Sequence, residues 1–252
     1  YEVPLDRDVR DVVVTRLFMS KVYGGSPQET FPRVAQNFLR VHHMDDFMYL
    51  NLDMNPHAPQ VPGAPGLFFD ADESIDQFSK IRRVFSRIGS SQWEYMGQYE
   101  IKPVASLTME EWNEQRSTVR LVWASKLSTT GWGVPCRGVM HLYEQLGRKP
   151  TKREVKEALQ SGNQFKNVSR EQIAEGFLKG WVTMAVWTMK CVGYDVDFQR
   201  ELVTEYVNWT PPDEPKRLAT PQRGRKRKRE EHRALDEDDL IYHPRGTKTR
   251  PI

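Results

Sequence analysis

A run of cations near the C-terminus carries the strongest chemical signal in this sequence. Six of the seven residues from 223 to 229 are basic: Arg223, Arg225, Lys226, Arg227, Lys228 and Arg229. Few apolar side chains surround them, so little burial offsets the entropy of ordering, and we predict that the segment is disordered. Such a run is typical of a nuclear-localisation signal or a nucleic-acid contact. The alternative is a solubilising linker.

Two shorter patterns accompany this run. Lys216-Arg217 could supply the minor cluster of a bipartite import signal. The stretch from Gln222 to Arg225 resembles the Arg-Gly-Arg core of AT-hook segments, which enter the narrow minor groove of DNA. The proline that normally follows this core is replaced by Lys226.

Alternating aromatic residues form the second chemical signal. A strand over this stretch would place Trp93, Tyr95, Gly97 and Tyr99 on one face. A glycine among three rings leaves a notch that could hold a flat ligand, such as a base or a methylated amine. We therefore name Trp93, Tyr95 and Tyr99 as candidate ligand-binding residues. The alternative, and the more ordinary arrangement, is that the rings form a core face and Gly97 admits a neighbouring backbone.

Two further groupings could bind a metal or act as a nucleophile. His42 to Asp46 holds four side chains that ligate metals, but adjacent residues diverge and no partner motif accompanies them, so we predict a solvated turn. Cys136 and His141 are not spaced to form a thiol–imidazole pair, and we identify no third orienting group. We predict no catalytic residue, no metal and no cofactor.

Composition describes a folded chain in a reducing compartment. The 252 residues can form one sizeable domain or two small ones, with 38% hydrophobic and 11% aromatic side chains. The two cysteines are isolated, which suits a reducing environment. No apolar run is long enough to span a bilayer, so we expect no membrane association. The chain begins at Tyr1, and we expect it to be part of a longer protein.

Positive charge is concentrated in the C-terminal segment. The net charge of the chain is +3, yet residues 211–252 hold 12 basic and 8 acidic side chains, leaving 25 basic and 26 acidic elsewhere. The isoelectric point of 8.8 is therefore a property of the tail, and it does not indicate a basic folded body.

Periodicity and turn signals predict a mixture of helices and strands. Helices are expected at 5–23, 32–41, from Thr108 to about 130, 152–160, 170–179 and around 198–206. Strands are expected at 46–52, 67–69, 83–88, 92–104 and 181–192, with the third and fourth forming a hairpin. Without regular βαβ alternation the fold class is α+β, with a small mixed or antiparallel sheet and flanking helices, followed by the disordered basic tail.

These elements suggest one folded domain at 1–209, with a helical subdomain considered at 150–209, and a basic tail at 210–252. Capping-box spacing at Thr151 and Ser169 starts two helices that could form a helix-turn-helix followed by a wing. The connection between them is long for the DNA-reading version of that motif, and helix packing alone would explain the pair.

Several short motifs together resemble an uncharacterised domain family found in basidiomycete fungi. They are Tyr23-Gly24-Gly25-Ser26, Asn55-Pro56, Ala58-Pro59, Pro62-Gly63, Pro65-Gly66-Leu67, Val84 to Arg87, Trp93-x-Tyr95-x-Gly97-x-Tyr99, Glu111-Trp112, Trp132-Gly133 and Cys191-x-x-Tyr194-Asp195. The match covers most of residues 8–208 and implies a domain boundary without a mechanism. The strand at Leu67 to Phe69 and the hairpin up to Tyr99 also faintly resemble the β-core of PUA-like and SRA-like readers, which hold modified bases in aromatic pockets.

Three functions remain open from the sequence. The first is a nuclear, non-enzymatic binding module for nucleic acid, most naturally DNA, or for chromatin, in which the tail contacts phosphates and an import receptor. The second is a nuclear protein–protein interaction module. The third is a metal-dependent enzyme acting on nucleic acid, with Asp70, Asp72 and Glu73 near the aromatic face. We rank them in this order and expect nuclear localisation.

Overall fold

The computed structural model describes residues 1–71 and 81–212. Tyr1 to Trp209 form one compact unit. The predicted disorder of the tail concerns residues that, apart from 210–212, lie outside the described part of the chain. Within the described ranges no helix is long and apolar enough to cross a membrane.

Helices and strands alternate irregularly along the described chain. The helices are α1 Arg7–Arg10, α2 Arg16–Val22, α3 Gln36–His42, α4 Met109–Glu114, α5 Ser117–Thr129, α6 Val134–Leu146, α7 Lys152–Gln160, α8 Arg170–Leu178 and α9 Val196–Asn208, with a 3-10 turn at Gly131–Gly133. The strands are β1 Val13–Val14, β2 Phe47–Asn51, β3 Gly66–Asp70, β4 Arg82–Gly89, β5 Gln92–Val104 and β6 Ala185–Gly193. The predicted α+β class is confirmed.

The strands form one mixed sheet in the order β2-β4-β5-β6-β3, with β1 added beside β5. The pair β2–β4 is parallel, whereas the other pairs are antiparallel. The sheet curls, and its two edge strands lie near the same loop residue. The Tyr49 amide of edge strand β2 donates to the Thr30 carbonyl, and the ring of the next residue, Phe31, lies 5.9 Å from the Phe68 ring of the other edge strand, β3.

Three apolar cores surround this sheet. The first core lies between β2, β4 and β5 and the helices α2 and α9, and it is rich in rings such as Phe47, Phe85 and Phe198. The second core fills the other side of the strands, with Met48, Trp187 and Met189 among its members. The third core joins β3 and β6 to a layer of five helices, α4 to α8, which we call the five-helix layer. Burial on both faces explains why the strands contain near-continuous apolar runs.

A buried arginine connects the parallel strands to the last helix. The Arg83 guanidinium on β4 contacts Asp46 at 2.8 Å and Asp195 at 2.9 Å. Asp195 is also the N-cap of α9, where its Oδ1 accepts from the Phe198 amide at 3.0 Å. The same guanidinium lies 4.6 Å from the centre of the Phe198 ring. The start of β2, the middle of the sheet and the start of α9 are thereby fixed together.

The long helix predicted at 5–23 is wrong. The chain forms α1, then β1, and then α2, which is capped by Thr15 through its hydroxyl and the Phe18 amide. Val13 and Val14 pair with Glu94 and Trp93 of β5, and β-branched side chains suit such a strand. A tertiary pairing therefore overrides the helical spacing of the apolar residues.

The single helix predicted from Thr108 to about 130 is also divided. Thr108 does open a helix with its capping box, but α4 ends at Glu114 and α5 begins at Ser117, because Gln115 and Arg116 adopt extended or irregular backbone angles. Helix α6 was not predicted. Its signals are a proline in the first turn, Pro135, and a left-handed Gly147 just after the last turn.

The remaining elements agree with the sequence pattern. The hairpin β4–β5, the strand β3 and the closing helix α9 lie where the periodicity placed them, within a few residues. Both later capping boxes are formed, at Thr151 with Glu154 and at Ser169 with Gln172. Helix α7 packs mainly on α6 and α8 mainly on α5, which favours ordinary helix packing over a helix-turn-helix.

Candidate functional site

The three candidate ligand-binding rings lie inside the protein. Tyr95 and Tyr99 are 0% exposed and Trp93 is 6% exposed. Trp93 and Tyr95 belong to the first core, whereas Tyr99 belongs to the second core on the other side of the sheet. The prediction that all three share one face is therefore wrong.

A bulge in β5 produces this change of face. Opposite β4, Val84 pairs with Gly97 and the next residue, Phe85, pairs with Tyr95, so Met96 is the extra residue. A bulged residue shifts the alternation by one position, which sends the following side chains to the opposite face. Gly97 has φ of +123°, and a Cβ there would lie 3.0 Å from both the Cys191 Sγ and the Gly193 carbonyl oxygen. Gly97 thus admits the neighbouring strand.

The hydroxyl groups of these rings are engaged within the fold. Tyr99 donates to the Ala64 carbonyl at 2.7 Å, and Tyr95 accepts from the Asp195 amide at 3.4 Å. Burial raises the pKa of both phenols above their ordinary value. Tyr95 is packed between Tyr194 and Phe198, with ring centres 4.7 and 5.2 Å away. This packing is what the core-face alternative requires, and ligand binding by Trp93, Tyr95 and Tyr99 stays a prediction.

Glu94, between two of the candidate rings, is a buried carboxyl that was not singled out from the sequence. It is 6% exposed. Burial, reinforced by the nearby Asp11 carboxylate and opposed by Arg10, raises the pKa of Glu94 to about 7. Arg10 is occupied by Asp11, since its Nε donates to Asp11 Oδ1 at 2.5 Å. This side chain could hold or release a proton near neutral pH.

The two weaker groupings have structural partners. His42 ends α3 and its Nε2 lies 3.0 Å from the Tyr23 carbonyl oxygen, while Asp46 faces Arg83. Cys136 is buried in α6, and burial raises the pKa of its thiol to about 12, so it is a poor nucleophile. The His141 ring packs against Phe165, with centres 5.2 Å apart.

The structure describes only one of the three acidic residues named in the enzyme hypothesis. Asp70 ends β3, but Asp72 and Glu73 lie outside the described residues. Among residues 1–71 and 81–212, no group of three or more His, Cys, Asp or Glu side chains is arranged to hold a metal ion.

The basic run at Arg223–Arg229 also lies outside the described residues. Its role therefore rests on sequence.

Charge is unevenly distributed along the sequence of the folded part. Residues 107–182, which contain the five-helix layer, hold 12 basic and 8 acidic side chains. Residues 1–46 and 195–209, which contain α1, α2, α3 and α9, hold 7 basic and 11 acidic side chains. The near-neutral body is thus a balance of a positive and a negative region of sequence. The positive excess of residues 107–182 lies in the segments that connect the helices, which hold five basic and no acidic side chains, whereas α4 to α8 themselves hold 7 basic and 8 acidic ones. Only this region has the sign that attracts phosphates.

The net charge of the whole body does not reveal this positive region, because the negative region cancels it. The signal that could have found it is the net charge of each predicted helical region taken separately.

The described residues form a mixed curled sheet with a helical layer attached through β3 and β6, and no solved structure matches the chain. The family described as domain of unknown function DUF6697 matches residues 13–205, and the chain belongs to this family. The expected membership of an uncharacterised family is confirmed.

No curated protein matches the chain either. Without a structural match, the resemblance to PUA-like and SRA-like readers is not confirmed.

Proposed function

We propose that this protein is a nuclear, non-enzymatic module that associates with DNA. The observation that carries the proposal is the run from Arg223 to Arg229, with six cations in seven residues. Such a run binds phosphates without reading sequence, because it releases the counterions condensed on the duplex. The same run suits an import receptor, and its partners would therefore be DNA and that receptor.

The uneven charge distribution of the folded part supports the proposal. The positive region at 107–182, whose excess cations lie in the segments that connect its helices, would add phosphate affinity to that of the tail. Phosphate contacts position a protein on DNA but do not specify sequence. The proposal therefore does not require the buried Trp93, Tyr95 and Tyr99 rings to read a base.

An import assay tests the nuclear part. Changing Arg225, Lys226, Arg227, Lys228 and Arg229 to Gln in a fluorescent fusion should move the protein from nucleus to cytoplasm. The fusion must be large enough to block passive entry, since the chain alone is 29.4 kDa. Neutralising Arg233, Arg245, Lys248 and Arg250 instead is the control, and this variant should remain nuclear. Unchanged nuclear accumulation of the first variant would contradict the proposal.

A salt titration tests the DNA part. Affinity for a labelled duplex should fall linearly with log salt, by about 0.9 per neutralised phosphate. Neutralising the cations at 223–229 should flatten that slope by several units and leave any sequence preference unchanged. Absence of binding at low salt would remove DNA from the proposal.

A protein-interaction module is the second candidate function. The Tyr143 and Trp181 rings stack at 4.0 Å on the five-helix layer, with Lys179 Nζ 4.7 Å above the Trp181 ring. Leu146 and Leu178, close in sequence to these rings, are exposed large apolar side chains. Normal import without DNA binding would favour this second function.

A further inference from the structure

Helix α7 and the turns on either side of it form a strongly basic stretch. From Arg148 to Arg170 the chain has seven basic and two acidic residues. Both acidic side chains are in ion pairs: Glu154 with Arg148 at 2.7 Å, and Glu157 with Arg153 at 3.1 Å. The excess positive charge is therefore carried mainly by lysines.

All four lysines of this stretch are exposed: Lys149, Lys152, Lys156 and Lys166. Among the residues that the structure describes, none of the four ammonium groups has a carboxylate partner. Lys152 and Lys156 are four residues apart on α7, so they are neighbours on the helix surface. Lys149 comes three residues before Lys152.

The turn that carries Lys166 is anchored beside α7. Phe165 has a left-handed backbone, with φ of +46°, and its ring is buried in the third core. The Phe165 amide donates to Asn163 Oδ1 at 2.8 Å. A Cβ on Gly138 of α6 would lie 3.3 Å from the Phe165 ring and 3.5 Å from the Leu159 side chain. Both residues thus pack at one point of α6, which brings Lys166 close to the last turn of α7.

This anchoring makes the basic stretch a fixed surface. A bulky residue held in the left-handed region persists only where the surrounding structure determines it. At the other end, the capping box of Thr151 and Glu154 fixes the start of α7. Lysines on a preorganised backbone lose less conformational entropy on binding than the same lysines on a free chain.

We propose that α7 and the turn carrying Lys166 contact the phosphate backbone of duplex DNA, as a second electrostatic site besides the tail. The inference rests on the proposed function and specifies the folded surface that serves it. Exposed, unpaired ammonium groups on a rigid helix and its flanking turns complement an array of phosphates. The contact is independent of base sequence, because lysine binds a phosphate as a point charge.

The test uses the full chain and a labelled duplex of about 30 base pairs. In the first variant Lys149, Lys152, Lys156 and Lys166 are changed to Gln. The slope of log affinity against log salt should flatten by about 3.6 units, since each of the four lost phosphate contacts removes about 0.9. A second variant with Arg at these four positions should keep the slope of the wild type, and melting curves check that both are folded.

A control variant removes the same charge from other surfaces. Lys21, Arg40, Lys190 and Arg200 are exposed on α2, α3, β6 and α9, and their replacement by Gln should change the slope by less than one unit. Equal flattening in the control would overturn the proposal, because it would show that the slope depends on the net charge of the protein and not on where the lysines lie.

The outcomes separate this inference from the proposed function. If the Lys-to-Gln variant keeps the wild-type slope while neutralising the cations at 223–229 flattens it, the second site is overturned and DNA association stands. If the wild-type chain does not bind the duplex, both are overturned. Flattening by the Lys-to-Gln variant alone, with retention by the Arg variant, supports the site on α7.

Discussion

At the scale of single residues, Arg83 holds together elements that are distant in sequence. Its guanidinium bridges Asp46 before β2 and Asp195 at the start of α9, and it lies against the Phe198 ring. The Arg83 side chain is 6% exposed, whereas the side chains of Asp46 and Asp195 are 21% and 32% exposed. A buried charge with two partly hydrated partners stabilises the fold mainly because its removal leaves the partners without compensation.

We predict that Arg83→Ala lowers the free energy of unfolding by about 3 kcal/mol. This value is near the lower end of the range for breaking a buried ion pair, since water can reach the two carboxylates that lose their partner. Urea denaturation would measure it. Lys102→Ala is the control, because its ion pair with Glu100 is exposed and should contribute less than about 0.5 kcal/mol. Similar losses in both variants would disprove the bridging role.

Glu94 makes stability depend on pH in the opposite sense to a salt-bridged acid. Its pKa is raised to about 7 in the folded protein, by burial and then by Asp11. The folded state therefore binds more protons than the unfolded chain between about pH 4.5 and pH 7. The stabilising contribution is fully present below the unfolded pKa and is lost as the pH rises through this window.

We predict that Glu94→Gln raises stability at pH 8 relative to the wild type and has little effect near pH 4.5. The difference should reach a few kcal/mol, as each unit of pKa shift corresponds to about 1.4 kcal/mol. Urea unfolding at both pH values would measure the difference between the two proteins. Glu100→Gln, on the same strand but more exposed, should show no such pH-dependent gain. If Glu94→Gln changed the free energy of unfolding by the same amount at both pH values, titration of Glu94 would not be the cause of the change.

At the scale of elements, the bulge in β5 decides which core each aromatic side chain enters. Without Met96 as an extra residue, Tyr99 would lie on the same side as Trp93 and Tyr95, as the alternation predicts. The bulge depends on how β4 and β6 pair with β5 and on the close approach at Gly97. Strand existence is a local property, so it could be read from the sequence, whereas register depends on distant partners.

We predict that Gly97→Ala destabilises the protein by at least about 2 kcal/mol, because the left-handed φ and two contacts near 3.0 Å both oppose a side chain. Gly131→Ala is the matched control, since no atom lies within 4 Å of its Cβ position and its φ is not left-handed. The control should change stability by less than about 1 kcal/mol. Thermal melting would compare them, and equal midpoints would show that the bulge tolerates a side chain.

The helices show the same division between local and distant causes. The capping boxes at Thr108, Thr151 and Ser169 were predictable, because each is a contact between residues three apart. The break between α1 and α2 was not, since β1 exists by pairing with β5 about 80 residues later. The lysines of α7 are visible in the sequence, but their fixed arrangement depends on Phe165 packing against α6.

At the scale of the whole molecule, β3 and β6 couple the five-helix layer to the sheet. Phe69 and Val186 enter the third core, while their neighbours Phe68 and Trp187 enter the second. Unfolding the helices would therefore expose one face of these two strands and weaken their pairing. The helical subdomain considered at 150–209 contains β6 itself, so it shares strands as well as a core with the rest.

We predict one cooperative unfolding transition, with coincident midpoints by far-ultraviolet circular dichroism and tryptophan fluorescence. Ile173→Ala, a fully buried change within the five-helix layer, should cost about 2–5 kcal/mol and move both midpoints together. The exposed Leu121→Ala is its control and should move neither by more than a few degrees. Separate transitions would indicate that the helices unfold independently.

The pairing of β3 with β6 has a consequence during synthesis on the ribosome. Asp70 pairs with Ala185, so the chain must grow by a further 115 residues before this partner exists. At about 5–20 residues per second, the delay is on the order of 6–20 s. Throughout that time the apolar segment Leu67-Phe68-Phe69 lacks its strand partner, and the helices that cover it are completed only as the chain reaches Leu178. The nascent chain therefore exposes an unpaired apolar strand edge for several seconds. We expect chaperones to bind near β3 during that time.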